Sequence, residues 1–521
     1  MSRDVPHTPR FGIRARTGSW LACLALLCLS GVAAIAVTAY CIARRLTFPN
    51  ELEWMEGLFV EHGQHVLAGH PTYPTPSADF LPLIYTPLFH WLTAFMMWLG
   101  APGFLSGRIA ALACLLLATA IVTLVSARAL RRRVLALLTP SLIAAGYVGV
   151  DCYYDVARAD ALGLFFCALL AAAMLIHNAP LSAIIAGVVA AGAYFSKQSY
   201  AVYLVAFFAA MQWVRGREAR YGALLAAVLI GVSIAIAQQT TSGTYWLYTV
   251  TIPSHQRVHW ENLLSVLPSD FLLSFGPHTL VVAGVAANLG LLHARLGRGD
   301  PRALPRQRES LPFRVLIVAS GAAAVYAAAS RASLGGAANV MIPFVVFSAG
   351  LIPAALECVC DGLPRAELRG LAWRLTAIAL SLILMRGLAG FEGRIPSPID
   401  EAQWRALREK LLRYGPRERI WVVDHAAAFG DEPPLVTHPH MMPLVDYLGG
   451  LGVPTGLALP KELRDRIQKR YYCAIVAREN DPGFERLIGD TYRPDRREPA
   501  FGLPEFCGAP VTAERIWIPR Y

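Results

Sequence analysis

The sequence predicts a polytopic α-helical membrane protein with about eleven transmembrane helices, N-terminus inside and C-terminus outside, and a small C-terminal α/β extracytoplasmic domain. Three observations lead there. Of 521 residues, 55% are hydrophobic and only 16% charged, far from the balance of a soluble globular chain. The apolar residues gather in runs long enough to cross a bilayer. The arginines gather between those runs, in every second connection.

The first run, Trp20 to Ala43, holds 24 residues without a charge, against roughly 20 needed to cross a hydrocarbon core of about 30 Å. It is too long for the apolar core of a signal peptide, and more runs follow, so it reads as a retained first helix. Further spans are expected at 104–127, 134–150, 160–177, 180–196, 198–214, 221–238, 271–294, 314–330, 337–356 and 371–390. Cytoplasmic loops carry the Lys/Arg excess. With Arg3, Arg10, Arg14 and Arg16 inside, "RALRRR" (128–133), "RGREAR" (215–220), the six arginines from Arg295 to Arg314, and Arg365, Arg369 and Arg374 all fall inside as well. The net charge of +11 is therefore spread between apolar runs. A nucleic-acid binder would gather it on a soluble, aromatic-interleaved face, so nucleic acid is excluded as a partner.

An odd number of spans divides the chain into a membrane bundle, 1–390, and an outer domain, 391–521. "SPIDEAQWRALREKLLRY" reads there as a capped amphipathic helix: Ser397 caps, Pro398 sits in the first turn, and Trp404, Leu407 and Leu411 share a face. "RIWVVDHA", "YYCAIVA" and "ERIWIP" read as strands. Most of the ten cysteines lie in apolar runs as buried small hydrophobes. Cys473 and Cys507, in the outer domain, are a candidate pair. "CVC" (358–360) and "THPH" (437–440) lack a second cluster at structural-zinc spacing. There is no phosphate-binding glycine loop, nucleophile elbow or fixed-period repeat.

The sparse polar residues of the outer side repeat at the mouths of the spans. The first outer loop, about 44–103, opens with "NELEWMEG" and its three carboxylates Glu51, Glu53 and Glu56. The spacing in "ELEWMEGLFVEHGQHVLAGHPTY" allows an interfacial amphipathic helix on which Glu53 and Glu56 share a face. The second, "DCYYDVARADAL", offers Asp151, Asp155 and Asp160 around Arg158. After 36 residues without formal charge comes Lys197; Arg257 with His255 and His259 in "SHQRVHW", and Arg331 before "GGAAN", complete the set. Lone cations around a membrane-level cavity suit an anionic headgroup. With an outer carboxylate they suit sugar transfer from a lipid phosphate: the cations stabilise charge on the leaving oxygen, and the carboxylate takes the acceptor hydroxyl's proton.

Several motifs carry a resemblance: "MEG" (55–57), "L-x-G-x-P-x-Y" (67–73), "YTPL" (85–88), "ARADAL" (157–162) and "SKQS" (196–199). In this order they resemble the GT-C polyprenyl-phosphate-sugar-dependent glycosyltransferases, in the branch of protein O-mannosyltransferases and the lipid A aminoarabinose transferase. The resemblance implies a hexosyl- or pentosyltransferase of the bacterial inner membrane, multi-pass, with its site facing the periplasm. Carried over, the base is Glu56 or Glu53, and Asp155 or Asp160 is the second acidic residue. Lys197, Arg257, Arg331 and Arg158 hold the donor phosphate, and Tyr85, His255, His259 and Asn339 contact substrate. Relatives commonly show an Asp-Glu pair in the first motif; Met55 stands at the Asp position here, which favours Glu53 one turn earlier. The partners implied are the lipid bilayer, a polyprenyl-phosphate sugar and a lipid, glycan or protein acceptor. Clustered carboxylates suit Mg²⁺ or Mn²⁺, but no ligand set is specified. The alternative, a lipid-linked-sugar flippase or other secondary transporter, predicts polar groups at mid-membrane depth and on both faces.

Overall fold

The computed structural model describes residues 11–254, 260–285, 311–333, 336–363, 365–425, 428–429, 460–478, 482–504, 506–507 and 514–521. Among them, seven helices are long and apolar enough to cross a membrane, or eight if a bent pair counts as one span. The first four lie in α1 (Phe11–Leu46), α4 (Gly103–Ala129), α7 (Ala179–Ser196) and α8 (Tyr200–Thr240). The others are Leu311–Ala332, Ala338–Asp361 and Ala366–Arg386.

Among the described residues the difference from eleven has physical causes. The expected spans at 134–150 and 160–177 are short apolar helices, Arg133–Ala145, whose α-helical part is α5 (Leu138–Ala145), and α6 (Asp160–Ala173). The expected pair 198–214 and 221–238 lies within the 41 residues of α8 as two helices that meet at a kink, where Arg215 is non-helical (φ −132°, ψ 34°). A straight helix of that length would reach about 60 Å, twice a hydrocarbon core, so the break at the arginine cluster matters. The expected span 271–294 begins in a pair, Glu261–Ser274 and Gly276–Val285, bent by 103°.

Two further helices lie in the long segment between α1 and α4, α2 (Glu56–Leu67) and α3 (Leu88–Trp98). Because α2 begins at Glu56, Glu53 lies in the turn before it, and the two glutamates do not share a helical face.

Toward the C-terminus, four strands form one sheet in the order β1-β2-β4-β3: β1 (Ile420–Val422), β2 (Ala474–Arg478), β3 (Tyr492–Pro494) and β4 (Glu514–Pro519). β1 and β2 are parallel; the other two pairings are antiparallel. The helix Pro398–Leu412 starts with a capping box between Ser397 and Asp400 and buries Trp404, Leu407 and Leu411. These pack with Ile420, Val422 and Val476 in one core, which also takes in Phe48 and Leu52 of the segment between α1 and α4. Trp421, Tyr472 and Phe484 form a second core with Ala78 and Leu81 of the same segment. The segment is thus bound into the sheet's packing rather than lying apart from it.

Cys473 and Cys507 are both free thiols. Cys507 is drawn away to the bundle, where it receives a hydrogen bond from Arg45 Nη2 at 2.7 Å and donates to the Cys152 carbonyl at 3.4 Å.

Candidate active site

The stretch Asn50–Gly57 is wrapped around Glu56. Leu52 N–H donates to Glu56 Oε2 at 2.7 Å, and Glu56 N–H to the Glu53 carbonyl at 2.9 Å, closing a tight turn at the start of α2. From that turn the acids leave in different directions. Glu51 meets His425 Nδ1 of the sheet region at 2.5 Å. Glu53 Oε1 accepts from Arg158 Nη1 at 2.9 Å. Glu56 takes both arms of Arg108, Nε to Oε1 at 3.0 Å and Nη2 to Oε2 at 2.7 Å, and a fourth donor, Ala157 N–H, at 2.9 Å.

Arg108 and Glu56 are fully buried, and Arg108 also donates to the carbonyls of Arg45, Phe48 and Asn50. A bidentate pair with its remaining donors satisfied is the geometry in which buried charges hold structure together. Asp155 is similarly engaged: Arg45 Nε donates to it at 2.7 Å and Tyr147 O–H at 2.8 Å, with no side-chain exposure. Arg45 and Arg108 were not singled out from the sequence. The signal was there, in a lone arginine inside the apolar run of α4 and another closing α1, because a charge at such a place needs a named partner.

The remaining residues form an alternating chain. Arg158, between Tyr153–Asp155 and α6, bonds Glu53 on one side and lies 3.6 Å from Asp160 on the other. Asp160, the first residue of α6, accepts from Lys197 Nζ at 2.8 Å. Lys197 stands in extended backbone between α7 and α8, its ammonium 5.4 Å from the centre of the Tyr85 ring. Asn339 is buried and hydrogen-bonds Asp160. The four charged side chains are 8% exposed or less and sum to zero net charge. Burial raises the Glu53 carboxyl above the usual range; Arg158 and the Met55 N–H pull it back down, and Glu56 adds to the rise.

Arg331 is engaged elsewhere, with Asp270 at 2.5 Å and the Gly336 carbonyl. Arg257, His255 and His259 lie outside the described residues, as does "THPH". Among the described residues no three His, Cys, Asp or Glu side chains gather as a metal set; Glu53, Glu56, Asp155 and Asp160 are each held by an Arg or Lys.

No family model and no curated protein sequence matches the chain. Solved structures do: ArnT from Cupriavidus metallidurans bound to undecaprenyl phosphate superposes with a TM-score of 0.55 at 13% identity, over 93% of this chain and 97% of that one. The chain has the fold of ArnT. The apo ArnT structure agrees, with a TM-score of 0.54 at 13% identity and the same coverage. The Archaeoglobus fulgidus oligosaccharyltransferase is more distant, with a TM-score of 0.47 at 13% identity over 88% of this chain and 69% of that one. ArnT is the lipid A aminoarabinose transferase, so the resemblance read from the motifs holds at the level of fold.

Proposed function

We propose that the protein is an integral-membrane glycosyltransferase of the inner membrane, moving a sugar from a polyprenyl-phosphate donor to a hydroxyl acceptor at the periplasmic face. The observation that carries this is the buried, charge-neutral chain Glu53–Arg158–Asp160–Lys197, set in a fold whose ArnT member was crystallised with undecaprenyl phosphate.

Arg158 and Lys197 are occupied by the acids of the site itself. An arriving phosphate competes with those acids for both cations. Taking Arg158 frees Glu53 and removes the charge that pulls its carboxyl down, which makes it a stronger base. Glu53 then accepts the acceptor O–H proton as that oxygen bonds the anomeric carbon. The bond from the anomeric carbon to the phosphate oxygen breaks, its electron pair staying on the polyprenyl phosphate, where Lys197 and Arg158 stabilise it. Glu56, held by four donors, serves as the post around which the loop is folded.

The test is transfer by purified protein in detergent, with a polyprenyl-phosphate sugar as donor. Without two compartments, product formation also separates a transferase from a lipid-linked-sugar flippase. Glu53→Gln should abolish product while the protein stays folded. A normal rate in that variant would overturn the assignment of the base.

A further inference from the structure

Away from the charged chain, a cavity of about 300 Å³ opens on the flank of the bundle. Its wall includes Leu142 and Ala145 of α5, Phe275 and His278 of the bent pair, and Ile383 and Arg386 at the end of the Ala366–Arg386 helix. None of Glu53, Arg158, Asp160 or Lys197 lines it. Close backbone approaches define its edges. A Cβ on Gly149 would meet the Phe275 ring at 2.8 Å, and one on Gly387 would meet the Ala145 carbonyl at 2.4 Å.

Two features say what it would hold. Among the described residues that line it, Arg386 is the one with a formal charge, and no carboxylate faces it. Arg386 is exposed and donates to the Leu273 carbonyl at 3.0 Å, which among the described residues leaves most of its donors for a ligand. Next along the chain to its lining residues Ser274, Ile383 and Arg386, Leu272, Leu273, Leu382 and Met385 are 54%, 67%, 66% and 51% exposed, the surface of a bundle meeting acyl chains. The cavity also borders Val148 and Gly149, just before the loop that carries Arg158 and Asp160, so it lies at the active-site end of the bundle.

We propose that this cavity is a binding site for one anionic phospholipid of the leaflet on the active-site side, with its phosphate on Arg386 and one acyl chain between α5, Phe275 and Ile383. A planar guanidinium pairs with phosphate oxygens through two parallel donors, and the apolar walls accept the chain. The inference does not depend on the proposed reaction, because it shares no side chain with it.

The test uses the full-length protein in detergent, stripped of lipid and given phosphatidylglycerol or phosphatidylcholine of the same chains, with bound lipid counted by native mass spectrometry. One phosphatidylglycerol should be retained in preference to phosphatidylcholine. Arg386→Ala should weaken it about tenfold, the factor that a lost charge-assisted hydrogen bond implies. Ala389→Trp, on the wall, should block retention by filling the cavity, and both variants should keep the wild-type melting temperature. Equal retention in wild type and both variants, or no retention by wild type, overturns the proposal. So does full competition by glycerol 3-phosphate, which would leave the chain no role. Displacement by stoichiometric polyprenyl phosphate also overturns it, because the cavity would then belong to the donor's path.

Discussion

Glu56 and Arg108 form a fully buried, two-armed ion pair between the start of α2 and α4, with both carboxylate oxygens and both guanidinium arms engaged. The pair decides what a substitution at either end will do. Removing one partner strands the other charge out of water, a loss of about 3–5 kcal/mol. Arg108→Ala is therefore expected to lower stability by that amount, read from chemical denaturation in detergent. An unchanged midpoint would show that the start of α2 does not depend on the clasp.

Glu53 should behave in the opposite way. Its carboxyl is raised by burial, and after Glu53→Gln the amide oxygen can still accept from Arg158, which keeps Asp160 3.6 Å away, so the melting temperature should fall far less than in Arg108→Ala. Transfer, by contrast, should fall by about 10²–10⁴-fold, the usual contribution of a general base. If activity and stability fell together, the residue would be a structural one.

The pH–rate profile carries a signature of the same group. Because burial raises Glu53 and Arg158 only partly pulls it back, the acid limb of kcat should lie above the ordinary glutamate range. Asp160→Asn should leave that limb in place, whereas any residual activity of Glu53→Gln should lack it. A limb at the ordinary carboxylate position in wild type would count against the assignment.

Donor binding should be accompanied by proton uptake. The arriving phosphate removes Arg158 from Glu53 and the carboxyl rises further, so on the acid limb a fraction of a proton passes from solvent to the complex, while on the plateau above it Glu53 stays ionised and able to act as base. Calorimetry of polyprenyl-phosphate binding in two buffers of different ionisation enthalpy measures the number transferred. Uptake in wild type and none in Glu53→Gln is the expected result; release, or equal uptake in both, would contradict the exchange of partners.

The contact between Glu51 and His425 predicts a pH dependence of stability. Burial works against charge on His425, but Glu514 and Glu51 override it, and with Asp424 they hold the imidazolium up to about 10, against an ordinary 6.5. A folded pKa above the unfolded one gives a contribution that is complete below pH 6.5 and lost as pH rises toward about 10. Thermal unfolding across that window should fall less steeply in His425→Gln than in wild type.

Much of this architecture is legible along the chain because it is local. Whether a segment can span a bilayer depends on its own length and apolarity, since each helix must satisfy its own backbone in lipid. Ser397 caps its helix through Asp400, three residues on. Among the described residues the span count departs from expectation where context acts, since Arg133–Ala145 and Asp160–Ala173 are too short to cross alone, whereas the break expected at the arginines appears as the kink at Arg215 within α8.

By itself the sequence determined that the chain is built from membrane-spanning helices, and which few polar residues stand at their ends. Only the tertiary structure decided how those residues are shared out. Within six residues, Glu51, Glu53 and Glu56 go to His425, Arg158 and Arg108, partners 374, 105 and 52 positions away. An ion pair depends on distance through space and on what shields it from water, and neither is written in spacing along the chain. Hence three similar acids in one short turn become a latch to the sheet, a candidate base and a structural post.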